Sequence, residues 1–165
     1  IDDNLIILNS FSKYFNMTGW RLGWMIVPTH MVEPIEKMAA SLAICAPTLA
    51  QHGAIACFEP EALALFEQRR EAFRQRRDYL VPALKALNID VPVTPDGAFY
   101  VYGDISAHSS DSSAFSAALL NGARVAAVAG LDFGPAHAAH TMRFAYTTGL
   151  ERLQEAVHRM KTFLD

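Results

Sequence analysis

Residues 10–24 read SFSKYFNMTGWRLGW, and three of them have types and spacing that could do chemistry together. Lys13 stands three positions after Ser10 and eight before Arg21, among small and aromatic neighbours. A lysine in bulk water, with a pKa near about 10.4, holds a free-amine fraction of order 10⁻³ at neutral pH. Burial or a neighbouring cation lowers that value and frees the amine as a nucleophile. An arginine supplies a planar fork suited to bidentate phosphate recognition, and Ser10 and Ser12 place hydroxyls beside the lysine. An amine able to form an imine with an aldehyde, next to a phosphate clamp, is what a pyridoxal phosphate site needs. Spacing alone leaves a plainer alternative open, in which Lys13 and Arg21 are solvated loop charges.

A loop with that task should leave the end of a strand, because ligands of open α/β sheets bind outside the carboxyl ends of the strands. The run NLIILN, residues 4–9, is apolar without alternation. It predicts a strand buried on both faces, as in a parallel sheet flanked by helices. LGWMIV, residues 22–27, predicts a second strand of the same kind, ended by Pro28. Residues 30–58 turn helical, with a break near Pro47. From 61 to about 87 the pattern predicts one long helix with Phe66, Phe73, Leu80, Leu84 and Leu87 on one face. At about 1.5 Å per residue it spans about 40 Å. Pro82 is expected to kink it, and such a helix is a natural bridge between two domains.

Beyond it the texture changes. GAFYVYGD, residues 97–104, predicts a strand, and residues 112–121 a short helix closed by Gly122. RVAAVAG and MRFAY predict two more short strands. Leu150, Leu153, Val157, Met160 and Leu164 recur at helical spacing near the end, the mark of an amphipathic helix. Thr148 with Glu151 reads as a capping box at its start. Residues from about 75 onward therefore form a small α+β domain, and those before it the last strands and helices of an α/β domain. The chain opens without methionine and almost directly in a strand, which reads as a segment of something longer.

Composition narrows the classes. Among 165 residues 52% are hydrophobic and 19% charged, with a net charge of −3. That balance is ordinary for a globular domain and gives no electrostatic case for nucleic acid or an anionic membrane. Cys45 and Cys57 are too few for a disulfide framework or a CxxC metal site and read as free thiols of a reducing cytoplasm. No apolar run reaches the roughly 18 residues of a membrane span.

SFSKYFNMTGWRLGW closely resembles the cofactor-lysine segment of the fold-type I, class I/II aminotransferases, where S-x-S-K is followed eight residues later by an arginine. PDGAFYVYGDI resembles the strand that enters that family's small domain, and AGLDFGPAHAAHTMRFAYTTGLERLQEAV its closing segment. The resemblance implies that Lys13 bonds covalently to pyridoxal 5'-phosphate and is the catalytic residue, that Ser10 and Arg21 bind the cofactor phosphate, and that Arg143 grips the substrate α-carboxylate. It implies an α/β fold, with the C-terminal end of the large cofactor-binding domain over residues 1–74. That portion carries parallel-type strands, helices and the start of the bridging helix; a small α+β domain follows over 75–165. It also implies amino-group transfer between an L-amino acid and a 2-oxo acid, in a homodimeric cytoplasmic protein with no metal, nucleic-acid or membrane partner.

Departures qualify the resemblance. Ala129 stands where the family usually has proline, which loosens a turn. No arginine occurs between Arg21 and Arg69, so the distal-carboxylate arginine of aspartate-specialised members has no counterpart there. The family's aspartate at the pyridine nitrogen, its ring-stacking aromatic and its phosphate-binding backbone loop lie upstream of the lysine. Asp2 and Asp3 precede the first strand and cannot replace that aspartate. Three rivals stay open: a β-lyase or synthase on the same residues, an effector domain of a transcription regulator, and a truncated product without activity of its own.

Four further features have plain readings. RREAFRQRR, residues 69–77, reads as a solvated helix face with Glu67 and Glu71 as partners. His137 and His140 have a metal-like spacing but no third ligand. Asn16-Met17-Thr18 matches a glycosylation sequon by chance. Phe99, Tyr100 and Tyr102 read as packing residues, the first two on a strand that the family places near the substrate.

Overall fold

The computed structural model describes residues 3–165, so Asp2 lies outside the described residues. The chain divides into two compact units, Ile1–Arg70 and Glu71–Asp165.

The first unit opens with β1 (Ile7–Ser10) and β2 (Gly23–Ile26), paired antiparallel from Ile7↔Ile26 to Ser10↔Gly23. This corrects the parallel-type pairing expected from the apolar run. The intervening residues turn back through Asn16, in the left-handed region at φ 56°, and through a 3-10 turn at Thr18–Trp20. They return the chain alongside β1, whereas a parallel partner would need a crossover. The burial expected on both faces also fails, for β1 is exposed throughout and Leu8 is 72% exposed.

Proline sets the helix starts. Pro28 precedes α1 (Thr29–Ala43), Pro47 precedes α2 (Thr48–Ala56), and Pro60 opens α3 (Pro60–Ala86), where its fixed φ and missing N–H cost nothing. Ile44, at φ 64°, and Pro47 make the break between α1 and α2. The core of this unit is Phe11, Met17, Ala54, Cys57 and Phe66, with Phe15, Leu22, Trp24 and Ala62 packed on it.

α3 runs for 27 residues and contains Pro82 without ending there. In the second unit Leu80 and Leu84 of this helix and Leu87 just past its end enter the core, with Phe73 against it, the face that the spacing predicts. The sheet has the order β3–β5–β4 and is antiparallel, formed by β3 (Tyr100–Asp104), β4 (Val128–Ala129) and β5 (Thr141–Ala145). β4 is shorter than RVAAVAG predicts, because Arg124 sits left-handed at φ 58° and delays the strand.

α4 (Ser112–Ala118) starts on Asp111, whose carboxylate accepts from the N–H of Ser113 at 3.0 Å and of Ala114 at 2.9 Å. It passes into a wider π-helical turn at Leu119–Ala123. α5 (Leu150–Leu164) buries Leu153 and Met160 and packs Val157 and Leu164 on the core. Its cap is Gly149, with no side-chain cap bond. Thr148 stands one position too early, so the expected capping box does not form. No helix among the described residues is long and apolar enough to cross a membrane.

Candidate active site

In the first unit the loop after β1 gathers three of the four residues singled out in the sequence. Ser10 ends β1 opposite Gly23. A Cβ on Gly23 would lie 2.6 Å from the Asn9 carbonyl oxygen, so only glycine lets the strands close at this rung. The Ser10 hydroxyl accepts from the Ser12 N–H at 3.1 Å, which leaves its own proton available to an incoming acceptor. Phe11 anchors the loop from below. It is buried, donates its N–H to Leu22 O and accepts from Met17 N–H, both at 3.0 Å, and packs its ring 4.9 Å from Trp24. Lys13 is exposed, and its carbonyl accepts from the Asn16 N–H at 2.9 Å, closing the turn that carries it.

Arg21 is left-handed at φ 53° and ends the 3-10 turn. Its Nη1 donates to Thr18 O at 2.9 Å and reaches Ser12 Oγ at 3.4 Å, while the Thr18 hydroxyl donates to the Ser12 carbonyl. Ser12 and Thr18 thus orient the guanidinium. Sequence reasoning noted the Ser12 hydroxyl without giving it a role, and it read Thr18 only as part of a chance sequon. The spacing of Ser12, Thr18 and Arg21 within one turn was the available signal. An ammonium, two serine hydroxyls and a guanidinium in one loop are a donor set that suits a phosphate ester, so these residues fit pyridoxal phosphate.

Beside the loop, Tyr14 donates its hydroxyl to Glu67 at 2.7 Å. That bond raises the phenol's pKa and, with Arg70, holds the Glu67 carboxyl below its usual range. Two arginines of α3 pair with the expected glutamates, Arg70 with Glu67 at 2.8 Å and Arg74 with Glu71 at 2.6 Å.

The fourth residue, Arg143, lies in the second unit at the middle of β5, opposite Tyr102 on β3 and Val128 on β4. Its guanidinium carbon sits 4.7 Å from the Phe133 ring centre and 5.2 Å from that of Tyr100. Its Nε is buried with no hydrogen-bond partner. The turn before β5 is tightly packed, since a Cβ on Gly130 would lie 2.4 Å from Thr141 Oγ1 and 2.6 Å from two backbone oxygens. Thr141 Oγ1 is hydrogen-bonded at 2.9 Å to both Tyr102 Oη and the His137 carbonyl.

His140 Nδ1 meets Asp104 Oδ2 at 3.0 Å. Burial works against the Asp104 carboxylate, but hydrogen bonds from Ser106 and the neighbouring His140 outweigh it and hold the group below its usual range. Among the described residues no group of three or more His, Cys, Asp or Glu side chains converges as a metal site.

The family profile described as aminotransferase class I and II matches residues 2–160. A valine–pyruvate aminotransferase of Mycobacterium tuberculosis is 38% identical over 161 residues, which are 98% of this chain and 42% of that protein. An aspartate aminotransferase of Pyrococcus horikoshii is 34% identical over 164 residues, 99% of this chain and 42% of that protein. The crystal structure of an aminotransferase from Mycobacterium tuberculosis superposes with a TM-score of 0.94 at 38% identity, covering 99% of this chain and 42% of that one. The chain thus spans 42% of the length of each of these relatives. A mixed α/β chain with a lysine–serine–arginine loop, matched over nearly all its length, belongs to the class I and II aminotransferase family.

Proposed function

We propose that this chain is part of a pyridoxal-phosphate-dependent enzyme that moves an amino group between an L-amino acid and a 2-oxo acid. The observation that carries the reading is the single loop in which Ser10, Ser12 and Arg21 are tied together beside Lys13. When bound, pyridoxal phosphate supplies an electron sink that lets a substrate Cα–H ionise. Arg21 and Ser10 hold its phosphate, and Ser12 and Thr18 keep the guanidinium from swinging away. Lys13 would anchor the cofactor covalently. The Lys13 amine would remove and return the proton at the substrate Cα as general base and acid. Arg143 binds the α-carboxylate as an ion pair. The overall exchange would pass the amino group of the donor to a second 2-oxo acid, giving the 2-oxo acid of the donor and a new amino acid.

The absence of arginine between Arg21 and Arg69 argues against a donor whose distal carboxylate is read from that stretch. The whole protein is read as a cytoplasmic homodimer. Free Cys45 and Cys57 support a reducing compartment, and exposed apolar side chains such as Leu8, Leu42 and Ile44 support association.

Lys13→Ala in the whole protein should abolish turnover while pyridoxal phosphate still binds. Borohydride reduction of the wild type should fix the cofactor on Lys13 and spare Lys37, Lys85 and Lys161. Substantial turnover in the variant, or modification scattered over the lysines, would refute the role given to Lys13. Product analysis separates amino transfer from a lyase reaction, which would release ammonia.

A further inference from the structure

Arg143 is an uncommon arginine. Its Nε is buried and unpartnered, and among the described residues no carboxylate forms a salt bridge with it. Arg143 as a whole is half-buried, and a buried N–H without a partner costs free energy unless its surroundings offset it. Here aromatic rings do, Phe133 at 4.7 Å and Tyr100 at 5.2 Å, both within cation–π range. A ring face stabilises the cation without consuming an N–H, so the donors stay available to an incoming anion.

The rings are themselves held. Tyr100 lies on β3, two residues before the partner of Arg143 in the ladder. Phe133 closes the 3-10 turn at Gly130–Phe133 and meets the Tyr102 ring edge-on at 5.9 Å. Tyr102 is fixed in turn through Thr141, beside the close approach at Gly130.

We propose that Phe133 and Tyr100 are positioning residues that hold the Arg143 guanidinium oriented for a substrate carboxylate, with Phe133 the principal one. This rests on the reading that Arg143 binds the α-carboxylate. Neither ring reacts; each acts through Arg143 by limiting its rotamers and stabilising its charge. A leucine would fill a similar volume but offer no π face.

The test uses the whole enzyme with pyridoxal phosphate and its best amino donor, comparing Phe133→Leu, Phe133→Tyr, Tyr100→Leu, Tyr100→Phe and Arg143→Ala. Phe133→Leu should raise KM for the amino acid about 3- to 30-fold, the range of one partly desolvated cation–π contact, with kcat within about twofold. Phe133→Tyr and Tyr100→Phe, which keep the ring, should restore KM to within about twofold. An unchanged cofactor absorbance band in each variant reports an intact cofactor site. If Arg143→Ala raises KM strongly and both leucine variants match the wild type, the positioning role is overturned while Arg143 keeps its own. If Arg143→Ala leaves KM unchanged, the carboxylate reading falls and this inference with it. If Phe133→Leu does not fold, Tyr100→Leu carries the same comparison. Loss of kcat and KM together in the ring-keeping variants would mark a purely structural role and overturn the proposal.

Discussion

Gly23→Ala tests whether the close approach of β1 and β2 sets the loop that carries Lys13. The new Cβ would stand 2.6 Å from the Asn9 carbonyl oxygen and 3.6 Å from Ser10 Cα, where real Cβ contacts essentially never fall below 3.0 Å. The obstructing oxygen belongs to the backbone of the neighbouring strand, so it cannot rotate aside as a side chain would. Overpacking of this kind costs about 1–3 kcal/mol. Parting the strands also weakens the Ser10↔Gly23 rung at the end of the ladder, worth about 1 kcal/mol for one hydrogen bond. A loss of about 2–4 kcal/mol is expected, a large share of ordinary domain stability. The displacement should reach the cofactor side too, because Ser10 holds the Ser12 N–H at 3.1 Å and Ser12 meets Arg21. Urea unfolding gives the first quantity, and titration with pyridoxal phosphate followed by visible absorbance gives the second, where about tenfold weaker binding corresponds to about 1.4 kcal/mol. A variant within about 0.5 kcal/mol of the wild type, the range of innocuous surface changes, and with unchanged cofactor binding would show that the strands accommodate a side chain, and the reasoning would fail.

Two other perturbations follow from the second unit. Asp111→Ala removes both N–H acceptances at the start of α4 and should cost about 1 kcal/mol; a urea midpoint equal to the wild type would contradict the cap. Asp104 is held below its usual range, so it contributes stability above the ordinary aspartate value of about 3.9 that is lost as pH falls through its lower folded value. Asp104→Asn should therefore flatten the fall in stability on the acid side of pH ~4, and urea midpoints measured across that window should show it. An unchanged slope in the variant would assign the acid sensitivity elsewhere.

The parts that were legible in the sequence are those fixed by short-range spacing. Lys13, Ser10 and Arg21 fall within one loop, so reading them together required no knowledge of the fold. The long helix was legible because Phe66, Phe73, Leu80, Leu84 and Leu87 repeat at its period, and the pairs of its arginines lie one turn apart. Pairing direction was not legible. An unalternating apolar run looks the same whether its neighbour is parallel or antiparallel, and only the left-handed turn at Asn16 with the 3-10 turn after it sends the chain back beside itself. The cap of α5 was missed for a related reason. A threonine and a glutamate three apart satisfy the pattern, but the box works only if the helix starts at the following residue, and here it starts one later.

The surroundings of Arg143 show where sequence reasoning stops. The arginine itself was found by resemblance, yet Tyr100, Phe133 and Arg143 come from three separate elements, and nothing in their spacing announces that they meet. Tyr100 and Tyr102 were read as packing residues because strand aromatics usually are. Alternation along β3 puts Tyr100 and Tyr102 on one face, the face of the sheet that carries Arg143 through its rung with Tyr102. Phe133 reaches the same place from the turn that Gly130 allows to close. A single charged residue on a sheet face can be noticed in a sequence, but its electrostatic state is decided by what converges on it from elsewhere. Among the described residues no carboxylate pairs with Arg143, which is as informative as the presence of the rings. An arginine already paired in its own fold would have to break that pair before it could accept another anion, and this one would not.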